Sequence, residues 1–420
     1  MGQMPSEFFT MDDFDFDGRT VYLRLDLNSP INPATGEIMD FSRFSAHLET
    51  INELRNSKLV IVAHQSRPGK DDFLSLRWHA FHLSTMLKKK ITFIDQLFGN
   101  EVSEAIVAMK PGDIIMLENS RFYSEEVSLD GSDLDVMVAS NIVKNLAPLF
   151  DYFVIDAFPA IHRQQITLTG FRSSKPNIAG RLIEKEIKAI SRFNSITGGN
   201  KIAILSGAKI SESIRVAKSF LERKMVDFVL TGGVVGNAFL SASGTNIGKR
   251  SADFIAKNNR DHNELLQICR DLLKKYPEKI ITPTDFILNP SGKRTIAGSQ
   301  IPDGEMIADI GVDTIVRFGE FIDKASAIFM NGPMGMYEVE KYSTGTREVF
   351  SSVAKSGALS IAGGGHTLSA LEKMDLVGRI SHASTGGGAL ISYLSGDKMP
   401  VLDALRESKK IFSGRENGHI

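Results

Sequence analysis

Short apolar runs alternate with amphipathic stretches along nearly the whole chain, and this alternation narrows the possible folds more than any other feature. The first half reads as strands at 21–27, 58–63, 91–94, 113–117 and 152–155, with helical patterns between them at 41–56, 76–90, 101–109 and 134–150. The second half repeats the pattern. Strands are expected at 201–205, 227–231, 279–282, 326–330 and 358–362, and helices at 212–224, 262–275 and 314–325. Near-continuous apolar strands separated by helices predict an α/β fold whose parallel sheets are covered on both faces. With 420 residues the chain is long for a single core, so two domains are expected. The alternation pauses at 172–180, which reads as a linker. A polar connecting helix is expected at 181–193, followed by Thr197-Gly198-Gly199-Asn200.

Charge excludes several classes of function. The 49 Lys and Arg nearly cancel the 50 Asp and Glu, which argues against a nucleic-acid binder or a membrane-surface protein. No apolar run approaches the length of a membrane span. The lone cysteine, Cys269, sits in a helical stretch; it reads as a packed core thiol in a reducing, cytoplasmic setting. The first six residues fit a short acylation pattern. The acidic Asp12, Asp13, Asp15 and Asp17 that follow would be repelled by an anionic membrane, so acylation is not expected. The polar segment 406–420 reads as partly mobile.

Ligands of open parallel sheets bind beyond the carboxyl ends of the strands. In the first half those positions carry Arg24-Leu25-Asp26-Leu27-Asn28-Ser29-Pro30, His64-Gln65-Ser66-Arg67-Pro68, Glu118-Asn119-Ser120-Arg121-Phe122 and Asp156-Ala157-Phe158, with His162-Arg163 further on; Arg43 opens the first long helix. Guanidinium forks bind carboxylate and phosphate bidentately, so Arg43, Arg67, Arg121 and Arg163 with His64 suit a small, multiply anionic metabolite. Asp26 and Asn28 either bond substrate hydroxyls or shape the turn beside Pro30.

The second half is rich in glycine at strand ends and has no P-loop. Gly207-Ala208-Lys209, Thr231-Gly232-Gly233 and Asn331-Gly332-Pro333-Met334-Gly335 with Glu338 are followed by two triple-glycine turns, Gly363-Gly364-Gly365 and Gly386-Gly387-Gly388. Each of these last two precedes a helical pattern. A helix N-terminus with free N–H groups is a ready anion site, so two such turns point to phosphate held twice. Lys209 can neutralise a phosphate and Glu338 can accept from ribose hydroxyls.

The order and spacing of these strings, together with Asp40-Phe41-Ser42-Arg43 and Ser381-His382-Ala383-Ser384-Thr385, resemble the phosphoglycerate kinase family over roughly residues 18–405. The segment 231–240, the compact length and the residues at 213 and 366 are similar to its archaeal branch. The resemblance implies two Rossmann-like parallel-sheet domains joined by a hinge helix, with the active site in the cleft between them. Expected boundaries are 1–180, a connecting helix 181–196 and 197–394, with 395–420 packing back on the first domain. It further implies reversible transfer of the ATP γ-phosphoryl group to the carboxylate of 3-phosphoglycerate, giving ADP and 1,3-bisphosphoglycerate. The acceptor is expected on Asp26, Leu27, Asn28, Arg43, His64, Gln65, Ser66, Arg67, Arg121 and Arg163. The nucleotide is expected on Lys209, Gly232, Gly233, Asn331, Pro333, Glu338, Gly363, Gly364, Gly365 and His366. Arg43, Lys209, Gly386, Gly387 and Gly388 are the expected stabilisers of the phosphoryl group in flight, with Mg²⁺ as cofactor and a monomer or homodimer as the working form.

Two positions depart from the bacterial and eukaryotic pattern. Ser213 stands where those members carry a second lysine, and His366 where they carry a magnesium-binding aspartate. Imidazole is a poor ligand for Mg²⁺, so the metal is expected mainly on nucleotide phosphates and water, with His366 facing phosphate. The departures also keep one rival open, a non-catalytic metabolite-binding or interaction protein on this scaffold; a third reading is an acyl-phosphate-forming kinase acting on another carboxylate.

Overall fold

A computed structural model of the chain describes residues 7–414. The hexapeptide with the acylation pattern, and residues 415–420, lie outside them. The chain divides into two compact units. One comprises the residues up to Ile187 together with those from Lys398 onward, and the other is Lys188–Asp397.

The first unit is built on strands β1 (Phe9–Thr10), β2 (Thr20–Arg24), β3 (Lys58–Val62), β4 (Ile91–Ile94), β5 (Ile114–Leu117), β6 (Tyr152–Ile155) and β7 (Asn177–Ala179). Their order is β1-β7-β6-β2-β3-β5-β4, and every pairing is parallel. Val21 lies opposite Leu59 on one side and Tyr152 on the other. The central strands are apolar on both faces because helices cover both. Val21, Leu23, Ile61, Met116 and Val154 pack with Phe44 and Leu83 in one core cluster. Tyr22 packs with Phe153 and Phe171 instead. The sheet reverses direction around β2, so the segments after β2, β3, β5 and β6 gather at a switch point.

The second unit carries β8 (Asn200–Leu205), β9 (Phe228–Thr231), β10 (Ile280–Ile281), β11 (Asp285–Asn289), β12 (Arg294–Ile296), β13 (Met306–Ile310), β14 (Ala325–Asn331), β15 (Leu359–Gly363) and β16 (His382–Ala383). Six of these form a parallel sheet in the order β10-β9-β8-β14-β15-β16. The other three form a small antiparallel sheet, β12-β11-β13.

Four expectations need correction. The segment 172–180 is not a linker; it contains β7, whose three residues are buried between β6 and β1. The helix expected at 134–150 is interrupted. Ser140 has extended backbone and its Oγ accepts from Val143 N at 3.2 Å, starting a new helix, Asn141–Leu146. The second unit also holds the antiparallel β12-β11-β13 sheet, which the βα pattern does not announce. Residues 406–412 are ordered as the end of the helix Pro400–Phe412, which buries Leu402, Leu405 and Phe412 in the first unit. The connecting helix runs Arg181–Ser195. Cys269 is fully buried, and burial pushes its thiol up to about 12. Among the described residues no helix is long and apolar enough to cross a membrane.

Candidate functional site

In the first unit the strand ends assemble a dense positive cluster. Arg24, the last residue of β2, is fully buried. Its Nε donates to Thr167 Oγ1 at 2.9 Å, Nη1 donates to the Leu25 carbonyl, and Nη2 lies 3.1 Å from His64 Nδ1. A guanidinium can only donate, so His64 Nδ1 accepts and the ring proton sits on Nε2. Burial drives the His64 pKa well down, and Arg24, Arg121 and Arg163 press it further, so the ring is neutral. Burial, then Arg163 and Arg24, likewise lower Arg121 to about 10. Cations crowded enough to disturb one another form a site that an anion relieves.

Asp26 faces this cluster. Burial alone would raise its carboxyl. The guanidinium of Arg43, with Nη1 2.7 Å from Asp26 Oδ2, together with the Asn28 N–H and Arg24, overcomes that and holds it well below the usual carboxylate range. Asn28 has a turn role, since its Oδ1 accepts from Ser66 N at 2.8 Å and so joins the β2 and β3 loops. Arg121 Nη1 donates to the Ser66 carbonyl at 2.5 Å, and Arg163 is half-buried beside it. Arg67 is exposed. Two expected acceptor residues turn inward. Leu27 is core, and Gln65 is fully buried, donating to the Ser29 carbonyl at 3.0 Å with its Oε1 3.2 Å from His79 Nε2. The Ser66 hydroxyl bonds Asp72 Oδ1 at 2.5 Å. The sequence reading passed over Arg24 as a role-bearing residue. The signal was there: a charge ending an otherwise apolar strand.

In the second unit a cavity of about 600 Å³ opens beyond the parallel sheet. Lys209, Gly233, Asn331, Pro333, Glu338, Gly364, Gly365 and His366 line it, with Gly387 and Gly388. The helices Ile210–Glu222, Gly233–Ala242, Gly365–Lys373 and Gly387–Ser395 all begin on its wall. None of their caps (Lys209, Gly232, Gly364, Gly386) carries a side-chain capping bond. Four positive helix ends therefore meet one space, although the first three N–H groups of the helix Gly233–Ala242 already donate to the Met334 and Gly207 carbonyls. The two glycine runs touch. A Cβ on Gly387 would lie 3.0 Å from Gly364 Cα, while Gly364 has φ +92° and leaves no room for a Cβ against Asn331 Oδ1. Gly363 and Gly386 are buried, Gly363 against Leu390, and Gly232 is buried against Met334.

At the mouth, Lys209 Nζ is 3.6 Å from Glu212 Oε1, and His366 Nδ1 is 3.9 Å from Glu338 Oε1; Lys209, Glu338 and His366 are exposed. Among the described residues no three His, Cys, Asp or Glu side chains come together as a metal cage. Ser213 is fully buried on its helix and does not line the cavity. The apolar wall was missed in the sequence: Val234, Phe254, Pro283, Phe286 and Met306. Phe286 and Met306 belong to β11 and β13, so missing that sheet meant missing the wall.

Comparison with known proteins gives a consistent result. The family model described as phosphoglycerate kinase matches residues 11–397. The phosphoglycerate kinase of Thermoplasma acidophilum is 63% identical over 408 residues, covering 97% of this chain and 100% of that one. That of Methanothermus fervidus is 41% identical over 407 residues, covering 96% and 98%. The crystal structure of the Pyrococcus horikoshii phosphoglycerate kinase superposes with a TM-score of 0.87 at 38% identity, covering 96% of this chain and all of that one. The Coxiella burnetii structure gives 0.78 at 30% identity, covering 95% and 98%. A guanidinium-rich pocket in one unit, a cavity ringed by helix N-termini in the other, and a family match across nearly the full length agree: the chain belongs to the phosphoglycerate kinase family.

Proposed function

We propose that this chain transfers the γ-phosphoryl group of ATP reversibly to the carboxylate of 3-phosphoglycerate, forming 1,3-bisphosphoglycerate and ADP. The observation that carries this reading is the cavity on which four helices begin. It suits a polyphosphate, and its apolar side suits a base. The acceptor's carboxylate is a nucleophile at neutral pH, so no general base is needed. Catalysis then reduces to alignment and to stabilising charge on the phosphoryl group.

The residue roles follow from this chemistry. Arg67, Arg121, Arg163 and His64 hold the acceptor's phosphate, and Asp26 and Asn28 orient its hydroxyl end. Lys209 and the N–H groups at Gly364 and Gly365 hold the nucleotide phosphates, with Gly233 on the cavity wall beside them. Arg43, Lys209 and the Gly386 to Gly388 turn stabilise the group in flight. Glu338 and His366 alone do not fit a protein-held magnesium site. The metal enters as the substrate's own Mg·ATP complex, with waters completing its shell. All these residues come from one chain, so the chemistry needs no second copy. The proposed setting is the cytoplasm.

A coupled assay with ATP, Mg²⁺ and 3-phosphoglycerate tests the proposal. ADP release that depends on the acceptor and stops with EDTA is expected. Binding of 3-phosphoglycerate without turnover would sink the catalytic reading. Turnover indifferent to the acceptor's phosphate would transfer the activity to another carboxylate.

A further inference from the structure

One buried histidine close to the acceptor cluster has no role in the chemistry above. His47 lies on the helix Ser42–Glu53, one turn after Arg43, and is 1% exposed. Residues four apart share a helix face. From that face the helix holds Asp26 twice. Arg43 reaches the Asp26 carboxylate at 2.7 Å, and His47 Nε2 lies 3.3 Å from the Asp26 amide nitrogen and 3.2 Å from its carbonyl oxygen. The opposite ring nitrogen, Nδ1, is 2.9 Å from Asp156 Oδ2.

Asp156 is itself held from several directions. Thr50 Oγ1 donates to Oδ2 at 2.7 Å, and the amide of Leu182 donates to Oδ1 at 2.8 Å. The anchor is therefore fixed to the start of the helix Arg181–Ser195. A carboxylate only accepts, so Nδ1 carries the ring proton. Nε2, where it carries no proton, accepts the Asp26 N–H. The imidazole passes the rigidity of that anchor to the backbone of the residue that pairs with Arg43.

We propose that His47 is a positioning residue: it fixes the backbone of Asp26, and through it the Asp26–Arg43 pair, for acceptor binding. This rests on the reading of that cluster as the acceptor site. Without His47 the Asp26 amide loses the Nε2 contact, and Asp26 is then held through its carboxylate by Arg43 and the Asn28 N–H.

The test uses two substitutions in the full chain. Asparagine mimics the Nδ1 side of the ring and glutamine the Nε2 side. His47→Asn keeps the bond to Asp156 but cannot reach Asp26, and it should melt within a few degrees of the wild type. Its KM for 3-phosphoglycerate should rise about fivefold, the loss of one hydrogen bond, with kcat and the KM for ATP within about twofold. Hydrogen exchange at the Asp26 amide should quicken by a similar factor. His47→Gln, which can reach Asp26 but not Asp156, should restore part of both effects. A folded His47→Asn variant with unchanged KM for 3-phosphoglycerate and unchanged Asp26 exchange overturns the proposal, as does an equal rise in the KM for ATP. If the wild type neither binds nor phosphorylates 3-phosphoglycerate, the functional reading fails, and Asp26 exchange still decides the positioning role.

Discussion

At the scale of single residues, the acceptor cluster separates affinity from stability. Arg67 is exposed, so Arg67→Ala should leave the melting temperature within about 1 °C. Loss of a charge-assisted bond to phosphate should raise the KM for 3-phosphoglycerate by roughly 10- to 100-fold. Steady-state kinetics and a thermal melt check both halves; an unchanged KM would remove Arg67 from the site. Asp309 behaves differently. It lies on the cavity wall, where burial raises its carboxyl to about 7 against the pull of the Gly345 and Ile310 N–H groups. In the unfolded chain it titrates near 4. Between those values the folded state holds the extra proton, so this contribution to stability is full below about pH 4 and is lost as pH rises through 7. Relative to Asp309→Asn, the ligand-free wild type should lose on the order of 3 kcal/mol between pH 4 and 8. Parallel stability curves for the two proteins would contradict this.

At the scale of elements, the helix Pro400–Phe412 shows how a late segment completes an early sheet. Ser408 Oγ accepts from Asn177 N of β7 at 2.8 Å, and Arg172 Nε reaches Glu407 at 2.7 Å. Leu405 is fully buried beneath it. Leu405→Ala should cost about 2 to 5 kcal/mol. In calorimetry the loss should fall on the transition of the first unit and leave that of the second in place. The strands Ile91–Ile94 and Tyr152–Ile155 are legible in the sequence to the residue, because continuous apolar runs between polar flanks have few alternatives. β7 is not legible. Three residues cannot show a period, and their partners are scattered along the chain: β6 just before, β1 near its start, and Ser408, 231 positions after Asn177. The same holds at the site. Arginines after strands announce themselves by position. Asp309, Phe286 and the inward turn of Gln65 depend on packing that no local pattern encodes.

At the scale of the molecule, the proposed acceptor residues belong to one unit and the proposed nucleotide residues to the other. We propose that closure brings the two sets of residues together for direct transfer. The helix Arg181–Ser195 passes from one unit to the other at Ile187 and Lys188, which makes it the proposed hinge. Small-angle scattering should show a smaller radius of gyration with both substrates bound than with either alone. An unchanged radius in the ternary complex would argue against hinge closure. The division of the chain also has a consequence for its synthesis. The nucleotide unit is an insertion between Ile187 and Lys398. A ribosome therefore releases the first unit with one side of its core open, and completes it only after the whole insertion has been made. At ordinary elongation rates that interval is roughly ten to forty seconds. A product cut short before residue 398 would keep the proposed nucleotide cavity and lack a finished partner unit, so that on the proposed reading it would hold the donor without being able to pass anything on.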